Sequence, residues 1–331
     1  MRFGVNNIQD APLAEVIQRW QACDRAGLHV VGLPDSPIAR ELHVYMTLCA
    51  LRTSRIAVLS AVTNPITRDP TITASALVTL SELAPGRIRI GIATGDSAAW
   101  GIGLRPARLD RLREYVLAVQ GLLRGETVDY LGRTLRPSWN HWQPPTEIPI
   151  YIACAGPRAL RLAAEVADGA IIAYGSMTGE TIAETLAGRE DLEIWWQTSV
   201  TFGTSVEDAM SRSLGVNPAW ISMGSWEGKD VPIELREPLQ ELTRDIYDLG
   251  AVYKTRNRGE LLVERARALG VYDWLVSRAP RLWGTDEDIV RRLRELGSEG
   301  MTNWLFYGGS FYDETERLVD LLGAELSAGI T

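Results

Sequence analysis

The chain has 331 residues, of which 46% are hydrophobic and 23% are charged, and its formal net charge at pH 7 is -8. This composition predicts a soluble globular protein with a large core and excludes a disordered or low-complexity chain. The acidic balance argues against nucleic acid as a partner, because that binding needs a basic face. No apolar window approaches the ~20 residues that span a bilayer, and no secretory signal opens the chain, so we expect a cytoplasmic protein without a membrane partner.

Strand-like segments recur along the chain with helical segments between them. In the first helical segment Leu13, Val16, Ile17 and Trp20 repeat at i, i+3, i+4 and i+7, which gives one apolar stripe facing a sheet. The predicted strands cover residues 3–7, 29–35, 56–62, 87–95, 149–156, 169–175, 193–203 and 302–309. The later predicted helices cover residues 41–52, 71–83, 109–123, 158–167, 286–296 and 313–322. This alternation predicts an α/β fold, a (β/α)8 TIM barrel with insertions that forms one domain from residue 1 to 331.

Two stretches exceed a minimal barrel, at residues 125–146 and 206–284. Insertions in barrels concentrate in the loops around the ligand mouth, so the region 206–284 after the seventh strand is predicted to be an insertion or lid. Its Trp226 either closes over a ligand or anchors the packing of the insertion. Most arginines follow helical spacing beside acids and are expected on solvated helix faces, so only an arginine at a strand or helix end needs another explanation.

In a TIM barrel the chemistry lies at the carboxyl ends of the strands. The polar and small residues at the predicted ends are Asn6, Asn7, Asp35, Ser36, Thr63, Asn64, Thr94, Gly95, Asp96, Ala155, Gly156, Tyr174, Gly175, Ser176, Gly308 and Gly309. This set suits a flat, hydrogen-bonding heterocycle, and it contains no His or Cys for a nucleophilic triad or dyad. Asp35 and Asp96 are candidate proton donors or acceptors, or alternatively helix N-caps.

The segment Ala155-Gly156-Pro157-Arg158 predicts an anion or phosphate site, because a strand ends there and a proline-initiated helix begins beside a fixed positive charge. An ordinary strand-to-helix turn is the alternative. The three cysteines and three histidines have no spacing typical of metal ligands, so no metal site is expected.

Four segments carry a family resemblance: TNPITRDP at residues 63–70, RIRIGIATGDS at 87–97, IPIYIACAGPRALRLAAEVADGAI at 148–171 and RLWGTDEDIVRRLRELGSEGM at 281–301. Together they resemble the luciferase-like monooxygenase superfamily, and more narrowly its coenzyme F420-dependent oxidoreductases of the methylenetetrahydromethanopterin reductase type. The resemblance implies a homodimeric TIM barrel that binds F420 at its mouth and transfers a hydride at the C5 atom of the deazaflavin.

The resemblance also implies roles for individual residues. A non-prolyl cis peptide is expected at Ala61-Val62, behind the cofactor ring. Asp35 is expected to lie near the ring edge or the ribityl chain, and Asp96 is expected to take part in proton transfer. The cofactor-binding set implied in this way is Asp35, Ser36, Ala61, Val62, Thr63, Thr94, Gly95, Ala155, Gly156, Pro157, Arg158, Tyr174 and Gly175. Two alternatives stay open: a monooxygenase of the same superfamily that uses reduced FMN, and a barrel without catalysis that binds a cofactor or partner.

Two departures from the family pattern bear on the substrate. Methanopterin reductases carry a glutamate just after the first strand, where this chain has Asn6 and Asn7. The sugar-phosphate dehydrogenases carry a His and an Asn where this chain has Ser36 and Ala99. We therefore expect neither of those substrates, but a small imine, enone or carbonyl/alcohol compound.

Overall fold

A computed structural model describes residues 1–6, 11–37, 40–138, 144, 146–244, 258–307 and 314–329. Asn7, Gly308 and Gly309, which were named as strand ends, lie outside the described residues, as does the predicted start of the last helix at Asp313. None of the described helices is long and apolar enough to cross a membrane.

Eight parallel strands close into a barrel in the order β1-β12-β9-β8-β7-β4-β3-β2, so the predicted (β/α)8 barrel is confirmed. The strands are β1 (Arg2–Asn6), β2 (Val30–Leu33), β3 (Ala57–Thr63), β4 (Ile88–Ile92), β5 (Val128–Tyr130), β6 (Arg133–Leu135), β7 (Ile150–Cys154), β8 (Gly169–Ala173), β9 (Glu193–Ser199), β10 (Thr201–Phe202), β11 (Trp283–Gly284) and β12 (Asn303–Tyr307). Strands β5 and β6 form an antiparallel hairpin, and β10 pairs with β11 in parallel.

Helices surround the barrel, and the predicted ones keep bounds close to those expected, whereas α4 and α7 to α12 were not predicted as helices. They are α1 (Leu13–Arg25), α2 (Leu42–Arg52), α3 (Pro70–Leu83), α4 (Asp96–Trp100), α5 (Leu109–Leu123), α6 (Pro157–Val166), α7 (Gly179–Thr185), α8 (Val206–Arg212), α9 (Pro218–Ser222), α10 (Ile233–Thr243), α11 (Arg258–Ala268), α12 (Tyr272–Ser277), α13 (Asp286–Ser298) and α14 (Thr315–Ser327). Proline opens α3, α6 and α9 at the first turn, where its missing N–H leaves no hydrogen bond unmade.

The core has two layers, because each strand turns alternate side chains inward and outward. The outer layer, between strands and helices, includes Phe3, Trp20, Tyr115 and Trp304, all fully buried. The barrel interior is filled by a separate cluster that includes Leu59, Tyr151, Ile171, Trp195 and Leu305. A packed interior of this kind separates the two ends of the barrel.

The predicted seventh strand, residues 193–203, was too long. Strand β9 ends at Ser199, and the chain then leaves the barrel to form β10 beside β11. Between β10 and β11 the described residues form helices α8 to α12 with a hydrophobic cluster of their own, which includes Leu214, Ile221, Leu239, Val271 and Leu275. The region predicted as an insertion or lid is therefore a packed helical segment, and its membership in one domain with the barrel stays a prediction.

Candidate active site

The carboxyl end of the barrel has a floor of glycine and alanine. A Cβ atom on Gly32 would lie 2.9 Å from the Cβ of Ala61, and one on Gly91 would lie 2.6 Å from the carbonyl oxygen of Ser60. Larger side chains do not fit at these two glycines. The Ala61-Val62 peptide is cis, as the resemblance implied, and the pairing of β3 with β4 shifts register between Ser60 and Thr63.

Among the described residues, the buried amide of Asn6 at the end of β1 has no hydrogen-bond partner on either its oxygen or its nitrogen. Its Oδ1 would lie 2.8 Å from a Cβ on Gly32, so the amide is directed into the barrel mouth. The hydroxyl of Ser36, at the end of β2, is also buried without a partner. Since buried polar atoms in folded proteins are nearly always paired, these groups indicate a ligand with polar edges.

Asp35 is buried and fully engaged by two neighbours. Arg68 donates from Nε and Nη2 to its carboxylate at 3.0 and 2.7 Å, and the hydroxyl of Thr63 donates at 2.7 Å. Arg68 also pairs with Glu41 at 2.8 Å, and its hydrogen bond to Asp35 is the main cause that raises the pKa of this guanidinium. Asp35 does not cap a helix, because Glu41 is the N-cap of α2.

Gly95 and Asp96 form the turn after β4. Gly95 is the N-cap of α4 at φ +85°, and a Cβ there would lie 2.6 Å from the Cβ of Asn64, so only glycine fits. Asn64 is held by the backbone N–H groups of Ile66 and Thr67, which donate to its Oδ1 at 3.0 and 2.9 Å. The loop after β3 therefore packs directly against this turn.

Asp96 is half-buried and belongs to the first turn of α4, so it is not the N-cap. Burial raises the pKa of its carboxyl, although the backbone N–H of Ser97 donates to Oδ1 at 2.6 Å. Within the described part of the chain it forms no ion pair. A carboxyl with a raised pKa at a barrel mouth can hold or accept a proton near neutral pH.

The predicted anion site has a second cation from the insertion. Gly156 precedes α6 without any side-chain cap for its first N–H groups, and Arg158 lies exposed in the first turn. Lys229 lies beside it, with its Cε 3.4 Å from the position of a Cβ on Gly156. Burial and the charge of Arg158 lower the pKa of Lys229 to about 8. A helix N-terminus flanked by two cations suits a phosphate or carboxylate.

Lys229 also holds the insertion together. Its Nζ donates to the carbonyl oxygens of Trp220, Ile221 and Met223 at 3.2, 3.0 and 2.5 Å. Because these carbonyls come from α9 and the residue that follows it, the ammonium fixes the short helix beside the anion site. Trp220 on the same helix packs against Tyr307 at the end of β12, with ring centroids 5.7 Å apart.

Arg278 ties the insertion to the barrel from its other side. Its Nε donates to the carbonyl oxygen of Gly175 at 3.0 Å and its Nη2 to that of Lys229 at 3.0 Å. Gly175 has φ +78°, and a Cβ there would lie 2.5 Å from the carbonyl oxygen of Arg278. Gly228 likewise packs closely on Pro157. The insertion thus covers one side of the mouth through contacts that glycine alone permits.

The described residues contain no group of three His, Cys, Asp or Glu side chains that could hold a metal ion.

Residues 1–303 match the family model described as luciferase-like monooxygenase. The chain belongs to the luciferase-like monooxygenase family. It is 26% identical over 338 residues to a 5,10-methylenetetrahydromethanopterin reductase of Methanolobus tindarius, covering 98% of this chain and 99% of the relative. It is 31% identical over 281 residues to an F420-dependent glucose-6-phosphate dehydrogenase of Nakamurella multipartita, and this match covers 75% of this chain and 81% of the relative.

A solved structure has the same fold as this luciferase-like protein. It is the coenzyme F420-dependent tetrahydromethanopterin reductase of Methanopyrus kandleri, with a TM-score of 0.71 and 22% sequence identity. The match covers 100% of this chain and 99% of that one. At this identity the likeness shows the fold, and the roles of individual residues must be argued from this chain's own geometry.

Most of the predicted site residues of this luciferase-like chain gather at the mouth. Asp35, Thr63 and Arg68 form one buried cluster, while Thr94, Gly95 and Asp96 form the neighbouring turn and Ala155 to Arg158 the anion site. The side chain of Tyr174 is the exception, because it packs between Trp196 and Trp304 in the outer layer. Both the hydroxyl of Tyr174 and the backbone of Gly175 nevertheless lie near arginines of the insertion.

Three residues of the luciferase-like site had no assigned role in the sequence interpretation: Arg68, Lys229 and Arg278. Arg68 lies within the TNPITRDP segment, but its pairing with Asp35 joins the ends of two different strands. Lys229 carries a weak signal, since it is one of only two lysines in an arginine-rich chain. Arg278 offers no sequence signal, because its partners are backbone carbonyls that only the fold brings near.

Proposed function

We propose that this chain is an oxidoreductase that binds coenzyme F420 at the carboxyl-terminal mouth of the barrel. The observation that carries the proposal is the buried, unpaired amide of Asn6 above a floor of Gly32 and Ala61. An amide offers one acceptor and two donors to a heterocycle whose edge alternates carbonyl and N–H groups. Two similar proteins support this cofactor, since the glucose-6-phosphate dehydrogenase of Nakamurella multipartita and the tetrahydromethanopterin reductase of Methanopyrus kandleri are both named as F420-dependent.

The residues around the mouth fit the rest of such a cofactor. Gly156, Pro157 and Arg158 would hold the phosphate and acidic tail of F420 through the open N–H groups of α6 and the guanidinium, and Lys229, whose N–H groups bind carbonyl oxygens, would add its positive charge. Ser36 would donate its unpaired hydroxyl to the ring or the ribityl chain. Thr63 and Arg68 hold Asp35 in one orientation, so that this end of β2 keeps its shape when ligands exchange.

When bound, F420 supplies a hydride carrier at its C5 atom. The chain's own contribution is orientation and proton handling. Asp96 would hold or release a proton at its carboxyl oxygen, since burial raises the pKa of this group. The insertion, fixed by Arg278 and by the contact of Trp220 with Tyr307, excludes water from one side of the mouth.

The substrate proposed is a small imine, enone or carbonyl/alcohol compound. Asn6 stands where methanopterin reductases carry an acid, and an amide cannot release that proton. Ser36 and Ala99 stand where the sugar-phosphate enzymes carry His and Asn. The reductase and sugar-phosphate activities named for the relatives are therefore not proposed for this chain.

Titration of the purified protein with F420 and with FMN, followed by fluorescence quenching, tests the proposal. We expect micromolar binding of F420 and much weaker binding of FMN, and we expect Asn6→Leu to weaken F420 binding. Ser327→Ala, on the far helix α14, serves as the control and should bind like the wild type. Tight FMN binding without F420 binding would instead favour an FMN-dependent monooxygenase, the alternative that the family description keeps open.

We further propose a homodimer formed through helices α2 and α3. Val44, Leu51 and Ile72 are exposed by 66%, 60% and 56% on the outer faces of these helices, beside Leu83 at 44%. Leu42 points into the core and takes no part in this face. Several large apolar side chains grouped on a surface are typical of a protein interface.

A further inference from the structure

A second cavity lies at the opposite end of the barrel, where the strands begin. It has a volume of about 320 Å³, and its charged and titratable lining consists of Arg2, His29, Arg55, Arg87 and Arg89 with one acid, Asp24. We call it the basal arginine pocket. Trp195 and Ala57 also line it and separate it from the apolar barrel interior. The size lies within the range of roughly 300 to 1,000 Å³ that small-molecule sites occupy.

Three of the four arginines of this pocket have no carboxylate partner among the described residues, although Asp24 also lines the pocket and Arg2 pairs with Glu193. Arg55, Arg87 and Arg89 form no ion pair with any described acidic residue. Arg87 donates to the neutral oxygens of Ala50, Ile56 and Thr53, and Arg55 donates to the carbonyl oxygen of Asp24 at 2.9 Å. In a chain with a net charge of -8, such a group of unpaired arginines is unusual.

Arg89 gives the strongest indication that the pocket binds an anion. It lies at the start of β4, and its buried Nε has no hydrogen-bond partner in the part of the chain that the structure describes. Its Nη1 reaches the hydroxyl of Tyr151 at 3.4 Å. A buried cationic donor without an acceptor costs free energy, which an anion in the pocket would recover.

The two carboxylates at this end of the barrel are already occupied. Asp24 accepts hydrogen bonds from the backbone N–H groups of Ser54, Arg55 and Ile56 at 2.7 to 2.9 Å. Glu193 pairs with Arg2 at 2.8 Å. It also accepts from the Tyr151 hydroxyl at 2.8 Å and from Trp195 Nε1 at 3.0 Å. Neither carboxylate is available to Arg89 without breaking these contacts.

The pKa of His29 is affected by the same positive charges. Burial, followed by the charges of Arg2, the N-terminus and Arg89, lowers the pKa of His29, so its ring is neutral at pH 7. Its Nδ1 accepts from the backbone N–H of Phe3 at 3.3 Å, which leaves the ring proton on Nε2 as a further donor lining the pocket.

We propose that the basal arginine pocket is a binding site for a small oxyanion, a phosphate or carboxylate group held by Arg89, Arg55 and Arg2. The site is separate from the proposed F420 site, because Leu59, Ile171 and Leu305 fill the barrel between the two ends. A bound anion joins the first residues of β1 and β4 with the turn before β3, and so stabilises the folded barrel by linkage.

Thermal unfolding and isothermal titration calorimetry with sodium phosphate, against sodium chloride at matched ionic strength, test the proposal. We expect phosphate to bind and to raise the melting temperature of the wild type. Arg89→Gln should weaken phosphate binding about tenfold or more, as loss of a charge-assisted hydrogen bond predicts. Arg108→Gln, whose side chain is 88% exposed, is the control and should behave like the wild type.

A third variant separates the two ends of the barrel. Arg158→Gln removes the exposed one of the two cations at the anion site of the mouth, so it should leave the phosphate effect intact if the pocket at the base is the site. Loss of the effect in Arg158→Gln and its persistence in Arg89→Gln would overturn the proposal. If Arg89→Gln does not fold, Arg55→Gln takes its place with the same expected weakening.

The source of the oxyanion is distinguished by two further titrants, glycerol 3-phosphate and succinate. Tighter binding of glycerol 3-phosphate than of inorganic phosphate would assign a phosphorylated metabolite, and tighter binding of succinate a carboxylate. Equal responses of wild type and Arg89→Gln to all three titrants would refute the site.

Discussion

Arg68 donates two hydrogen bonds to Asp35, from Nε at 3.0 Å and from Nη2 at 2.7 Å. The pair joins the loop after β3 to the end of β2, directly below the proposed cofactor site. Thr63 donates to the same carboxylate at 2.7 Å, so both oxygens of Asp35 accept hydrogen bonds from the protein. Asp35 therefore acts in the structure as a positioning residue.

Asp35→Asn should destabilise the fold by about 3 kcal/mol, because it leaves a largely buried guanidinium with fewer acceptors. Urea unfolding measures this change. Glu126→Gln breaks the exposed pair with Arg124 and is the control, for which we expect little change. An Asp35→Asn protein of unchanged stability that binds F420 poorly would show that the carboxylate serves the ligand instead.

Asp96→Asn should lower kcat by about 100-fold or more while leaving F420 binding nearly unchanged, since proton transfer is lost and the ring contacts remain. Steady-state kinetics and cofactor titration measure the two effects separately. Asp110→Asn, on the exposed first turn of α5, is the control. Unchanged turnover in Asp96→Asn would remove this residue from the mechanism.

The same residue predicts a pH dependence of stability. Because the pKa of Asp96 is higher in the folded than in the unfolded chain, its charged form opposes folding once the pH exceeds the unfolded value of 3.8. Asp96→Asn should thus be at least as stable as the wild type at pH 7, and the difference should disappear in acid. Unfolding curves at several pH values would show a destabilised variant at pH 7 if Asp96 were structural.

Lys229 predicts a pH dependence of cofactor binding. With a pKa of about 8, its positive charge is lost as the pH rises through that value. We expect the affinity for F420 to fall between about pH 7 and pH 9 in the wild type, and to depend less on pH in Lys229→Met, which lacks the charge throughout. Equal pH profiles for the two proteins would exclude Lys229 from the anion site.

Gly175→Ala should weaken the contact between the insertion and the barrel, because the added Cβ, at a residue with φ +78°, would lie 2.5 Å from the carbonyl oxygen of Arg278. We expect a loss of about 1–3 kcal/mol in unfolding free energy and faster proteolysis of the insertion. Gly179→Ala is the matched control, since no atom lies within 4 Å of its Cβ position. Equal proteolysis of the two variants would contradict the role assigned to this contact.

Val44→Asp and Ile72→Asp test the proposed dimer. Their side chains are exposed by 66% and 56%, so a carboxylate there is tolerated in a monomer but repels its copy across an interface. Light scattering should show a dimer for the wild type and a monomer for the variants. Leu261→Asp is the control, because Leu261 is exposed by 53% and lies on α11, away from the proposed interface. Thr79→Asp would not serve, because Thr79 lies on α3 with Ile72.

The barrel could be predicted from sequence because its signals are local. Each strand and most surrounding helices carry their own periodicity, as in Leu13, Val16, Ile17 and Trp20, and Gly156-Pro157 marks the start of α6 without reference to any other part of the chain. The end of the seventh strand was missed because Thr201 and Phe202 have strand character but pair with β11, outside the barrel.

The candidate site was predictable only in part, because several of its contacts join distant segments. Asp35 and Asp96 could be placed at the barrel mouth because each follows a predicted strand. The sequence could not predict which side chains surround each of them. Arg68 neutralises Asp35, while Asp96 meets no cation among the described residues. The basal arginine pocket was missed for the same reason, since Arg55 and Arg89 become neighbours only when the barrel closes.

The short pairing of β10 with β11 places the two ends of the helical insertion side by side. The backbone N–H of Thr201 donates to the carbonyl oxygen of Leu282 at 3.1 Å, and that of Gly203 to Gly284 at 2.8 Å. The intervening segment leaves and rejoins the barrel at one place, so its length and composition can change without altering the spacing of β9 and β12. Replacing parts of this segment that do not include Lys229 or Arg278 should therefore leave the barrel intact.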